Sequence, residues 1–96
     1  MSNETDPAFF KRADAMISLA NDQLEDADIG AVSASFLYAA ARFNAFVSAA
    51  NCETAQEMAA SKSEMVDYFL DQYRTMITEH LEDYAANFDA YTGARG

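Results

Sequence analysis

From Thr54 to Thr92 the chain carries neither glycine nor proline, so nothing in the backbone obliges it to turn for close to forty residues. Thr54-Ala55-Gln56-Glu57 has the form of a capping box, in which threonine and glutamate satisfy free backbone donors at a helix start. Behind it, Met58, Met65, Val66, Phe69, Leu70, Tyr73, Met76, Ile77, Leu81, Tyr84, Phe88 and Tyr91 recur at helical spacing. A single helix of this extent is about 50 Å long, against about 30 Å for each helix that precedes it. The overhang of about 20 Å exposes several rings, so either the helix breaks and folds back or the overhang meets another chain. Two breaks are open to it: the second capping box Ser61-Lys62-Ser63-Glu64, and Thr78-Glu79-His80, a hydroxyl ahead of a carboxylate-rich turn. The second is favoured and predicts a short fourth helix over 81–90, with Leu81, Tyr84 and Phe88 capping the end of the fold. A homodimer formed by the same residues is the rival.

The preceding segment is defined by missing charge. Residues 31–52 hold one charged side chain, Arg42, whereas residues 1–30 carry two basic and seven acidic groups (−5) and residues 53–96 three basic and nine acidic (−6). Burying a segment that has no carboxylate to desolvate is cheaper than burying either neighbour. Helix two is therefore expected to be the buried middle, from about Val32 to Ala50, with Val32, Phe36, Ala39, Ala40, Phe43, Phe46, Val47 and Ala50 inward. A milder, uncharged strip follows Leu37, Ala41, Asn44 and Ser48. Ile29-Gly30 is read as the break before it. Helix one opens at Thr5-Asp6-Pro7, a capping side chain followed by proline at the first helical position. Its apolar face runs through Phe9, Phe10, Ala13, Met16, Ile17, Ala20 and Leu24.

These elements predict an all-α protein, a small up-and-down bundle of three long helices with a short fourth C-terminal helix. Residues 1–96 are one domain, with flexible termini at 1–5 and 92–96. An apolar content of 51% is ample for one core. A membrane-spanning reading of 32–50 fails on chemistry, because Arg42 and Asn44 would lie near mid-bilayer among alanines and serines. Cys52 is the single cysteine, and Asn3, Glu4 and Asp6 stand where a basic export leader would begin, so a reducing cytoplasm is expected.

With the helices placed, the runs Asp6-Pro7-Ala8-Phe9-Phe10-Lys11-Arg12-Ala13-Asp14 and Val32-Ser33-Ala34-Ser35, continued by Leu37-Tyr38-Ala39-Ala40-Ala41-Arg42-Phe43-Asn44-Ala45-Phe46, are similar to a family of short, acidic bacterial proteins. That family is domain of unknown function 3144. Tyr68-Phe69, Gln72-Tyr73-Arg74 and Leu81-Glu82-Asp83-Tyr84 resemble it too. The resemblance implies a stand-alone helical protein of unassigned activity, and it carries over no catalytic residue and no cofactor.

Chemistry-bearing constellations are few. His80 is the single histidine, and position 77 is isoleucine, so the Glu-x-x-His pairs of a helical di-metal site are missing. Glu64, Asp67 and Asp71 share a helix face, most simply a solvated one. Cys52 has no neighbouring base to make it a nucleophile. Three dispersed glycines exclude a phosphate-cradling loop. No metal site is assigned, and no catalytic residue. Arg42 alone asks for explanation, since a guanidinium can grip two carboxylate oxygens. It ties helix two to an acidic helix through Asp14, Asp67 or Asp71, or it anchors an interface or small pocket beside Tyr38 and Asn44.

A net charge of −10 opposes direct contact with nucleic acid or anionic membranes. The leading expectation is a cytoplasmic protein–protein interaction module without catalytic activity. Its candidate interface or pocket residues are Leu37, Tyr38, Ala41, Arg42, Asn44, Tyr84 and Phe88. Its partner is another protein or a second copy. The alternatives are an acidic decoy that imitates a nucleic-acid backbone on a basic partner, with rows at Asp22-Glu25-Asp26 and Glu64-Asp67-Asp71, and a helical protein that binds a small molecule or metal.

Overall fold

The computed structural model describes residues 6–93. Of the termini expected to be flexible, 1–5 and 92–96, residues 1–5 and 94–96 lie outside the described residues. Four helices follow in order: α1 (Pro7–Gln23), α2 (Ile29–Ala50), α3 (Ala55–Ala86) and α4 (Phe88–Tyr91). The protein is all-α, with three long helices and one short C-terminal helix, and no strand occurs among the described residues. The chain divides into two units, Met1–Val47 and Ser48–Gly96.

In the first unit, Asp6 caps α1 by accepting from the Ala8 N–H at 3.0 Å, with Pro7 next in line. The Arg12 guanidinium approaches the same carboxylate at 3.8 Å, an exposed pair of little energetic weight. The helix closes through bonds from the Leu24 and Glu25 N–H groups to the Asn21 and Asp22 carbonyls. The break before α2 falls one residue earlier than Ile29-Gly30. Asp28 accepts from the Ala31 N–H at 2.8 Å, the bond of an N-cap residue, so Ile29 and Gly30 already belong to the first turn. A carboxylate two residues upstream outweighs the permissiveness of Gly30.

The expectation that α2 is the buried middle is not met. Ser48 is its one buried residue, while Phe43 is 64% exposed and Phe46 66%. Alternating rings and alanines would let a neighbour approach closely, but α1 stays far enough away to leave an open groove.

In the second unit, the Glu57 N–H donates to Thr54 Oγ1 at 3.0 Å, and the Glu57 carboxylate reaches back to the Glu53 N–H at 2.9 Å. The threonine half of the capping box is made, while the glutamate satisfies the donor one residue before the cap. From there α3 runs unbroken for 32 residues, about 48 Å. The break favoured near Thr78-Glu79-His80 does not occur, and the fourth helix is not 81–90 but only Phe88–Tyr91. The turn comes instead at Asn87, whose backbone at φ −121°, ψ 36° leaves the helical region. Ser61 does not start a helix either. Its hydroxyl donates back to the carbonyls of Glu57 and Met58, each at 3.1 Å, a bond that competes with capping.

Thr92, assigned from sequence to the tail, closes α4 through its N–H and hydroxyl, which donate to the Phe88 carbonyl at 3.0 and 2.8 Å. Gly93 follows at φ 77°, the left-handed position a glycine fills after a helix end.

Candidate interaction surfaces

Two surfaces stand out, one in each unit. In the first, α1 and α2 lie side by side with a groove of about 550 Å³ between them. Met16 and Leu19 line it from α1, and Phe36, Phe43 and Asn44 from α2. The lining is almost wholly apolar, so the groove offers contact area and few directional bonds. Such a surface suits an apolar side chain or ligand.

The structure brings only Asn44 of the α2 candidates into this groove. Leu37, Tyr38, Ala41 and Arg42 lie outside it, and all four are exposed, Tyr38 at 68%. Arg42 does not pair with Asp14, the candidate carboxylate of its own unit. Among the described residues the single ion pair is Arg12–Asp6. The groove residues of α1, Met16 and Leu19, were not among the sequence candidates. Met16 belongs to the apolar face read for helix one, whereas Leu19 lies outside that face.

The second surface is the C-terminal end of α3 together with α4. Asp83 organises it. Its Oδ1 accepts from Asn87 Nδ2 at 3.0 Å, its Oδ2 accepts from Tyr91 Oη at 2.6 Å, and its carbonyl also accepts from Asn87 Nδ2 at 3.1 Å. These bonds turn the chain at Asn87 and lay the Tyr91 ring on Tyr84, centroids 4.0 Å apart and 15° from parallel. The hydrogen bond to the Asp83 carboxylate, and then its negative charge, hold the Tyr91 hydroxyl above the ordinary tyrosine pKa. Tyr84 and Tyr91 are each half exposed and Phe88 is 61% exposed, so this is an aromatic platform open to solvent. Tyr84 and Phe88, both named from the sequence, are both exposed at this end of the chain, and the ring stacked on Tyr84 is that of Tyr91. Asp83 was missed, although its spacing to Asn87 and Tyr91, four and eight residues, puts all three on one helix face.

No group of three or more histidine, cysteine or carboxylate side chains is arranged to hold a metal ion among the described residues. Cys52 is a free thiol, half-buried in the connection between α2 and α3. Among the described residues no helix is long and apolar enough to cross a membrane.

The profile of one protein family, described as protein of unknown function (DUF3144), matches residues 9–85. The chain belongs to this family. The match runs through α1 and α2 and nearly all of α3, so the groove helices and Asp83 fall inside it. The NMR structure of the protein NB7890A from Shewanella sp is similar at 43% sequence identity and a TM-score of 0.75, covering 99% of this chain and 100% of that one. Among curated proteins none matches the chain.

Proposed function

We propose that this DUF3144 protein is a cytoplasmic protein–protein interaction module and not an enzyme. One observation carries the reading: among the described residues no hydrophobic side chain is buried, and the exposed ones form continuous faces at helical spacing. Apolar faces of this extent on a small protein are surfaces awaiting cover. Carboxylates border them, which keeps the uncovered chain soluble and repels nucleic acid and anionic lipid.

Photo-cross-linking in the source cell tests the reading. A benzoylphenylalanine placed at Leu37 or at Tyr84 is expected to give adducts with protein. The same group at Glu64 or Glu82, on acidic faces, is expected to give few. Equal adducts at all four positions, or none at any, overturn it.

A further inference from the structure

Within the second unit, the residue that suits the position just past a helix end is Gly93, at φ 77°. The backbone stop signal thus lies after Thr92, yet α3 ends at Ala86. Asn87 alone interrupts it. The Asn87 N–H still donates to the Asp83 carbonyl at 3.0 Å. Beyond the break, the N–H groups of Tyr91 and Thr92 donate to the Asn87 and Phe88 carbonyls at 3.1 and 3.0 Å, so bonds of helical spacing stand on both sides of it. Asn87 does not act as a helix cap, because its side chain makes no capping bond to α4. Nor do four residues hold a helix by themselves, since a first turn fixes several residues for one hydrogen bond.

What the break does have is side chains bridging it. Asp83 accepts from Asn87 Nδ2 and from Tyr91 Oη, and the Tyr91 ring lies on Tyr84. In a straight helix, residues seven and eight apart are separated by about 10.5 and 12 Å along the axis. Both members of each pair lean toward the helix N-terminus, so that gap persists between their side chains. Rings stacked at 4.0 Å and a hydroxyl 2.6 Å from a carboxylate therefore require the bend. We infer that the turn at Asn87 is a latch on an otherwise continuous helix: with the Asp83 bonds made the chain is bent, and with them broken α3 runs on to Thr92.

Two opposed effects set the position of the latch. A break leaves N–H groups at the start of α4 and carbonyls at the end of α3 without helical partners, and straightening restores them. Against it stand Asp83 and Asp89, carboxylates near a helix C-terminus with no basic side chain in the last turn of α3 or α4. In the bent chain a hydroxyl and an amide meet the Asp83 carboxylate. The two forms present different surfaces. Bent, Tyr91 lies flat on Tyr84; straight, Leu81, Tyr84, Phe88 and Tyr91, spaced three, four and three apart, prolong one apolar stripe. A partner that fits the stacked pair finds it formed, and one that fits the stripe must first break the latch. That consequence rests on the interaction reading above, whereas the latch itself does not.

Backbone NMR on the purified full chain tests the latch. In the native chain the Cα shift of Asn87 is expected upfield of the helical range, between helical values on either side. Asp83→Ala removes the acceptor of both side-chain bonds at a position that is helical in either form. Tyr91→Phe keeps the ring and removes the hydroxyl alone. Both residues are exposed, and helical shifts over 55–82 check that the rest of α3 is intact in each variant. In Asp83→Ala the Asn87 shift is expected to move downfield into the helical range, with amide–amide contacts running unbroken from 86 to 91. In Tyr91→Phe it is expected to move part of the way. Random-coil shifts with fast amide motion over 87–92 in Asp83→Ala would mean that the released segment frays, and that result overturns the inference. An Asn87 shift that neither variant moves overturns it as well. Neither result touches the interaction reading, which is decided by the cross-linking adducts.

Discussion

The hydroxyl of Tyr91 donates to a carboxylate oxygen of Asp83 at 2.6 Å across eight residues of sequence, and that one bond folds the end of the chain back onto the helix it has just left. It is charge-assisted, hence short and stronger than a neutral bond, even though both groups are exposed. The bond needs a protonated phenol. Tyr91 is accordingly held above the ordinary tyrosine value, near 10 in the unfolded chain. A group raised on folding stabilises the fold below its unfolded pKa and loses that contribution as pH rises through the folded value. The α4 turn is thus expected to be intact at neutral pH and to open only in the alkaline range above about 10. Tyrosinate absorbance should show one of the five tyrosines titrating later than the rest, and Asp83→Asn should bring it back among them.

The two threonine and serine motifs of α3 make opposite predictions. Thr54→Ala removes a made cap and should cost about 1 kcal/mol in a urea melt. Ser61→Ala removes only a bond back to carbonyls that the helix already uses, so it should be neutral or slightly stabilising. A loss at Ser61 matching that at Thr54 would mean that a helix begins there after all.

Arg42 is exposed, and among the described residues it is not one of the paired cations. Arg42→Met should therefore shift the midpoint of a urea melt by no more than about 0.5 kcal/mol in stability. A loss of about 3–5 kcal/mol would reveal a buried carboxylate stranded by the change.

Phe43 offers a direct reading of how much of the groove is core. Emptying a fully buried aromatic site costs about 3–5 kcal/mol. At 64% exposure most of that area is already in water, and Phe43→Ala should cost less than about 1.5 kcal/mol in chemical denaturation. The full cost would show that another surface covers the ring in solution.

Features decided within one turn of chain were legible in the sequence. Asp6-Pro7 and Thr54-Glu57 start helices where their side chains can reach free N–H groups, and both do so in the structure. Ser61-Glu64 and Thr78-Glu79 look the same on paper, but inside a continuing helix the hydroxyl has a second use, donation to a carbonyl behind it, which Ser61 takes. Composition cannot choose between those uses. The burial of α2 was inferred from its lack of charge, which says what a segment can tolerate and not what lies against it. Tyr84 and Phe88, expected to cap the end of the bundle after a turn near Thr78, are exposed because that turn is not made. The role of Asp83 was not legible, because one more carboxylate among sixteen carries no mark of being the acceptor for two side chains.

Every bond that shapes the C-terminal platform joins residues four or eight apart: Asn87 to Asp83, Thr92 to Phe88, Tyr91 to Asp83. Contacts so local need no long loop to close, and helix and turn formation of this kind runs on a sub-microsecond to microsecond scale. The platform is then complete long before two molecules at cellular concentration meet. Its encounters are those of a finished surface, so the rate of docking should scale with the concentration of partner and show no lag for folding on arrival.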